Sequence, residues 1–206
     1  VNPFVPTVAT RPFSVLIAAL CLGCTTVPRS VLMPEGPYGA ALKEATRSVS
    51  VYHGVDSVMF AYATDETTSF RKARAERLSQ VFHVPVETAE IHGGDITEHF
   101  PEAHVFFLAV NTNDRNANDL ERPASQWAIS LETLQGTVQP ASILRITAKV
   151  AAIQAVYPYV DRFFVTYRVL FRANVGSGPY TLVLAGPLGE GRMKFAGEEF
   201  PTAALH

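Results

Sequence analysis

An antiparallel β-sandwich carrying one amphipathic helix is the fold that the sequence predicts, with a half-open barrel under a helical lid as the alternative. Three observations point there. Apolar residues recur at period two in several short runs, turn residues separate these runs at short intervals, and residues 69–82 form the clearest stretch of helical spacing. No strand-helix-strand alternation is present to build a doubly wound parallel sheet.

The chain begins with a segment of a different kind. Arg11 precedes an apolar run over residues 13–22, and Gly23 stands directly before Cys24, which is the layout of a secretory leader. A run this short does not span a bilayer. The ending Leu22-Gly23-Cys24 resembles the lipobox of bacterial lipoproteins. That resemblance implies removal of residues 1–23, lipidation of Cys24 as the first mature residue, and attachment through the lipid to a membrane of the cell envelope, facing the periplasm or the cell surface. Cys21 and Cys24 also make a C-x-x-C pair, but the chain holds no other cysteine to complete a zinc set, and no thioredoxin-like unit surrounds them.

Residues 24–47 read as the lipidated N-terminus and a tether, since Pro28, Pro34 and Pro37 limit helix and withhold ladder donors; a short helix is placed around Leu42 and Ala45. Residues 48–206 then form the sandwich domain. The runs 48–52 and 57–62 predict a hairpin, with Val58, Phe60 and Tyr62 at period two. Beyond an N-cap-rich stretch, Thr68 or Ser69 opens a helix reaching Phe82. Phe70, Ala73, Leu78, Val81 and Phe82 are expected on its packed side, and Arg71, Lys72, Arg74 and Arg77 on a solvated outer face.

Residues 104–110 are apolar on both alternations, as a central strand covered on two faces requires. Residues 126–132 alternate cleanly, with Trp127, Ile129 and Leu131 inward. Between them, residues 111–123 are polar enough to read as a surface excursion. A strand is expected over 142–147, while residues 148–157 fit neither period clearly. Phe163, Val165, Tyr167, Val169 and Phe171 keep one face at strict period two, against Thr166, Arg168 and Arg172 on a face expected to be wet. Glycine-rich turns then lead to strands over 180–185 and 192–195, so the last three strands predict a meander. The lone Trp127 on a strand resembles the core tryptophan of immunoglobulin-like sandwiches, and an immunoglobulin-like or transthyretin-like arrangement is the expectation.

Composition and motifs exclude several functions. With 17 basic and 19 acidic side chains and a net charge of −2, the chain implies neither nucleic acid nor an anionic membrane face as a partner. Nucleophile-elbow, P-loop and zinc-protease motifs are missing, and the cluster Gly186, Gly189 and Gly191 reads as a hairpin turn. No catalytic residue, cofactor or metal is assigned. The strongest chemical candidate is the stretch from His83 to His104, which includes His92, Asp95, Glu98 and His99; imidazole and carboxylate together suit a zinc or general-base site. Residues 111–121 carry many oxygens, yet Arg115 and Asn116 occupy the places where a calcium loop needs a donor and glycine. The reading that follows is a non-enzymatic envelope module whose sandwich edge or loops meet another envelope component, with a periplasmic hydrolase or metal-dependent enzyme using the His83 to His104 stretch as the alternative.

Overall fold

The computed structural model describes residues 34–88, 103–172 and 178–197. Helix α1 (Pro37–Ala45) carries proline in its first turn, where a missing N–H costs nothing, and buries Leu42 and Ala45. Strand β1 (Thr46–His53) follows at once and turns through Gly54 and Val55 into β2 (Asp56–Asp65), forming the expected hairpin. α1 and the start of β1 lie in the stretch that the sequence reads as a tether, yet Leu42 is fully buried in a cluster with Phe70 and Phe107. Helix α2 (Thr68–Phe82) starts where Thr67 Oγ1 accepts from the Phe70 N–H at 3.2 Å, and ends where His83 takes the left-handed conformation and its N–H donates to Ser79 O.

The remaining strands are β3 (His104–Thr112), β4 (Ala128–Thr133), β5 (Gly136–Val138), β6 (Ser142–Ile146), β7 (Val165–Phe171), β8 (Tyr180–Gly186) and β9 (Gly189–Phe195). A short helix, α3 (Val150–Gln154), settles the stretch whose period was ambiguous. Pairing is antiparallel throughout and builds two sheets, one ordered β1-β2-β3-β7-β6 and the other β5-β4-β8-β9. The fold is therefore mainly β and a two-sheet sandwich, not a closed barrel.

β3 shows why both of its alternations are apolar. Phe106, Leu108 and Val110 join the core between the sheets with Leu131, Tyr167 and Leu182, while Phe107 and Ala109 face a second core under the helices with Leu42, Phe70 and Ile153. Each such large side chain removed from water contributes about 1.5–3 kcal/mol. At the sandwich edge, β9 approaches β1 closely enough that only glycine fits: a Cβ on Gly191 would lie 2.9 Å from Val49 Cγ1, and one on Gly189, already at φ +142, 2.6 Å from Val51 Cγ1. Arg47 Nε donates to Lys194 O at 3.1 Å across the same edge.

Four expectations need correction. The last three strands are no meander, because β7 pairs with β3 and β6 while β8 pairs with β4 and β9 in the other sheet. Phe163 precedes β7 and is 45% exposed, and the face opposite Tyr167 is not wet: Thr166 and Leu170 are buried and Arg168 is half-buried, since the helices cover that side. The excursion after β3 is polar in composition but buries Ala117, Asn118 and Leu120, with Asn118 Nδ2 donating to Val110 O at 2.7 Å. On α2, Phe82 is 51% exposed and Ala73 and Val81 half-buried, whereas Phe70, Arg74, Ala75 and Leu78 are the buried residues.

Candidate functional site

The strand register lays one row of side chains across the helix-covered face of the larger sheet: Thr46, Thr64, Phe107, Arg168 and Leu144 are successive cross-strand partners on β1, β2, β3, β7 and β6. At one end of the row the Thr46 and Thr64 hydroxyls lie 2.7 Å apart, and Thr64 lies 2.6 Å from the Tyr159 phenol. In the middle, the Tyr157 ring stacks on Phe107 with centroids 3.6 Å apart. Toward the other end stand Arg168 and then Leu144. Above the row, α2 presents Arg74, Leu78 and Phe82 at i, i+4 spacing, and α3 with the turn after it presents Ile153 and Val156.

Between these layers lies a cavity of about 460 Å³. Its walls are apolar, with Leu78, Ile146, Ile153 and Val156 among them, and its charged lining groups are Arg74 and Arg168. Such a volume, apolar with a few polar groups at one end, is the usual form of a small-molecule site. Ala148 and Ala152 line it as exposed residues, so the cavity reaches the surface past small side chains.

The polar end is built on a buried ion pair. Arg74 Nη1 donates to Glu66 Oε1 and Oε2 at 2.8 and 2.7 Å, and the Tyr157 phenol donates to Oε1 at 2.6 Å. The two charged side chains are only 7% and 3% exposed. Burial, and then the neighbouring Glu66 carboxylate, push the Tyr157 phenol well above its ordinary range, so it stays protonated and keeps donating. Burial does the same for Tyr159 and for Tyr38, whose hydroxyl donates to Val156 O at 2.6 Å.

Asp65, the residue before Glu66, faces the other way. Tyr180 of β8 donates to Asp65 Oδ2, and His104 Nε2 lies 3.0 Å from Oδ1. Two consecutive carboxylates thus each meet a tyrosine and a basic group, one within the helical layer and one toward the second sheet. A smaller cavity of about 260 Å³ beside Asp65 is lined also by Glu44, Arg47 and Tyr180.

The residues singled out from the sequence are only partly brought together. His83 serves as the C-cap of α2 and His104 pairs with Asp65, while His92, Asp95, Glu98 and His99 lie outside the described residues, as does Cys24. Among the described residues no group of three or more His, Cys, Asp or Glu side chains gathers to hold a metal. In the calcium-like stretch Asp114 Oδ1 instead accepts from the Asn116 N–H at 2.9 Å and caps a short turn. The basic set on α2 does not form one outer face. Arg74 is buried, Arg77 donates to Ala155 O at 3.3 Å and lies over the Tyr38 ring, and Arg71 donates to Thr68 within the helix. Sequence reasoning missed Glu66, Arg74, Tyr157 and Arg168 as a group, because each sits on a separate element and none belongs to a motif.

Fold and site together define a two-sheet sandwich with a helical layer enclosing an apolar cavity that has a charged end. No protein-family model matches the chain, and neither the curated proteins nor the solved structures give a significant match to it.

Proposed function

We propose that this chain is a non-enzymatic binding module of the bacterial cell envelope, lipidated at Cys24 and holding a small, largely apolar ligand between α2, α3 and the larger sheet. The observation that carries the binding half is the cavity of about 460 Å³, whose size and lining are those of a ligand pocket. Open to the surface and lined mainly by apolar side chains, it offers room for a single small molecule. The apolar run before Leu22-Gly23-Cys24 supports the anchoring half. Acyl chains contributing about 0.8 kcal/mol per buried methylene hold such a module at a membrane, and two or more make the attachment stable. Among the described residues no helix is long and apolar enough to cross a membrane.

Binding is tested with N-phenyl-1-naphthylamine, a neutral dye that brightens in apolar surroundings. The protein is expected to bind it saturably, and Ala152→Phe, which fills the cavity from an exposed position, is expected to abolish binding with little change in Tm. Dye binding that survives Ala152→Phe and Ala148→Phe would place the dye elsewhere and remove the support. Mass spectrometry of the mature N-terminus tests the anchor: an acylated peptide starting at Cys24 is expected, and an unmodified peptide starting elsewhere contradicts it.

A further inference from the structure

We infer that strand β6 is a docking surface for a second copy of this chain, pairing antiparallel with its counterpart about Leu144 and joining two five-stranded sheets into one. The pairing does not depend on what the cavity binds.

Each of the two sheets ends in two edge strands, and β1, β9 and β5 each carry protection against pairing with another chain. β1 and β9 face each other, where Gly189 and Gly191 let the backbones approach Val51 and Val49 and Arg47 Nε donates to Lys194 O. β5 is three residues long and opens at Gly136 with φ +130, too short to template a partner. β6 carries none of these devices. Among the described residues it pairs with β7 alone, its register runs through five residues without a bulge, and it holds no proline, glycine or lysine. Its one charge, Arg145, meets Glu121 at 3.5 Å. In an antiparallel ladder every second residue turns its N–H and C=O away from the neighbouring strand, so the outer side of β6 offers a row of backbone donors and acceptors that another extended strand matches.

The side chains select the occupant. Ile143 packs against the inter-sheet core and Ile146 against the core beneath the helices, while Leu144, on the same face as Ile146, is 48% exposed at the centre of the strand. Read in reverse, Ser142-Ile143-Leu144-Arg145-Ile146 is complementary to itself. About a two-fold axis at Leu144, Ser142 stands opposite Ile146 of the second copy, Ile143 opposite Arg145, and Leu144 opposite Leu144. No like charges face each other, and the apolar stem of Arg145 covers isoleucine. This register keeps the helix-covered faces of both copies on one side and sets the two exposed leucines against each other. Five paired residues make a small interface, so the association is expected to be weak and reversible.

The test is sedimentation equilibrium of the full chain in nonionic detergent, over roughly 10 to 500 μM, for wild type, Leu144→Lys, Leu144→Glu and an equal mixture of the two variants. Wild type is expected to pass from monomer to dimer as its concentration rises. Each variant alone sets like charges against each other at the axis and is expected to weaken the dimer at least about tenfold, whereas the mixture sets opposite charges there and is expected to restore it. Wild type that stays monomeric throughout would overturn the inference. A dimer undiminished in both variants would put the contact elsewhere and overturn the assignment to β6, and weakened variants whose mixture does not recover would overturn the pairing about Leu144. Should either variant fold poorly by Tm, amide exchange of wild type decides. Protection over residues 142–146 that rises with protein concentration is expected, and protection that ignores concentration overturns the pairing.

Discussion

Replacing Arg74 with methionine tests whether the helical layer is held by a buried ion pair. The substitution keeps an apolar stem of similar reach but removes the guanidinium that satisfies both oxygens of Glu66 at 2.7 and 2.8 Å. Glu66 then retains one strong donor, the Tyr157 phenol at 2.6 Å, and its carboxylate is 3% exposed, so water does not readily replace what was lost. Breaking a buried pair from one side costs about 3–5 kcal/mol, a large part of the roughly 5–15 kcal/mol that holds a domain folded. Because the pair joins the end of β2 to α2, the loss falls on the attachment of α2 to the sheet. Removing both charges in Arg74→Met with Glu66→Leu should recover most of the cost, since a buried pair replaced by apolar groups is often neutral or stabilising. Urea unfolding of wild type, both single variants and the double variant closes the cycle. A cost below about 1 kcal/mol for Arg74→Met, the value of an exposed pair, would refute the burial argument.

Three further outcomes are expected. Tyr167→Phe removes a phenol that donates to Asn118 O and Oδ1 at 2.9 and 3.0 Å, and should cost about 1–3 kcal/mol by urea midpoint; an unchanged midpoint would mean that the turn after β3 does not depend on this bond. Gly191→Ala places a methyl 2.9 Å from Val49 Cγ1 and should lower stability by about 1–3 kcal/mol, and a neutral or stabilising effect would show that β1 and β9 can separate freely. Burial raises the folded-state phenols of Tyr157 and Tyr159, so their contribution is fully present below about pH 10, where the unfolded chain keeps its protons, and is lost as pH climbs toward the folded values. Stability should fall by about 1.4 kcal/mol per pH unit for each of these two phenols above that point, and a flat profile through the alkaline window would contradict their burial.

Much of the β framework was legible in the sequence because period two reports which faces of a strand are covered. The double alternation of β3 gave a central strand, and Ile129 and Leu131, with Trp127 just before the strand, gave the inward face of β4. The same pattern does not name a strand's neighbour. β7 carries a run as clear as any in the chain, yet its partners are β3 and β6, and nothing local distinguishes that from pairing with β8. Burial of charge was not legible either. Arg74 looks like its neighbours Arg71 and Lys72 along the helix, and it is buried because Glu66 and Tyr157, which are 91 residues apart from each other, meet beside it. The cavity was invisible for the same reason, since its lining comes from α2, α3, β3, β6 and β7 and depends on how the helices settle on the sheet. His104 is singled out for chemistry, but Asp65, which it pairs with, lies in the N-cap-rich stretch and Tyr180, which also meets Asp65, opens a distant strand, so nothing local joins the three.

The most direct test of the binding account is methyl-resolved NMR of the protein titrated with N-phenyl-1-naphthylamine. The account predicts saturable shifts at Ile146, Ile153 and Val156 that line the cavity, with the methyls of Val49, Val51 and Leu131 in the inter-sheet core left still. Shifts confined to the inter-sheet core, or spread evenly over surface methyls without saturation, would contradict it.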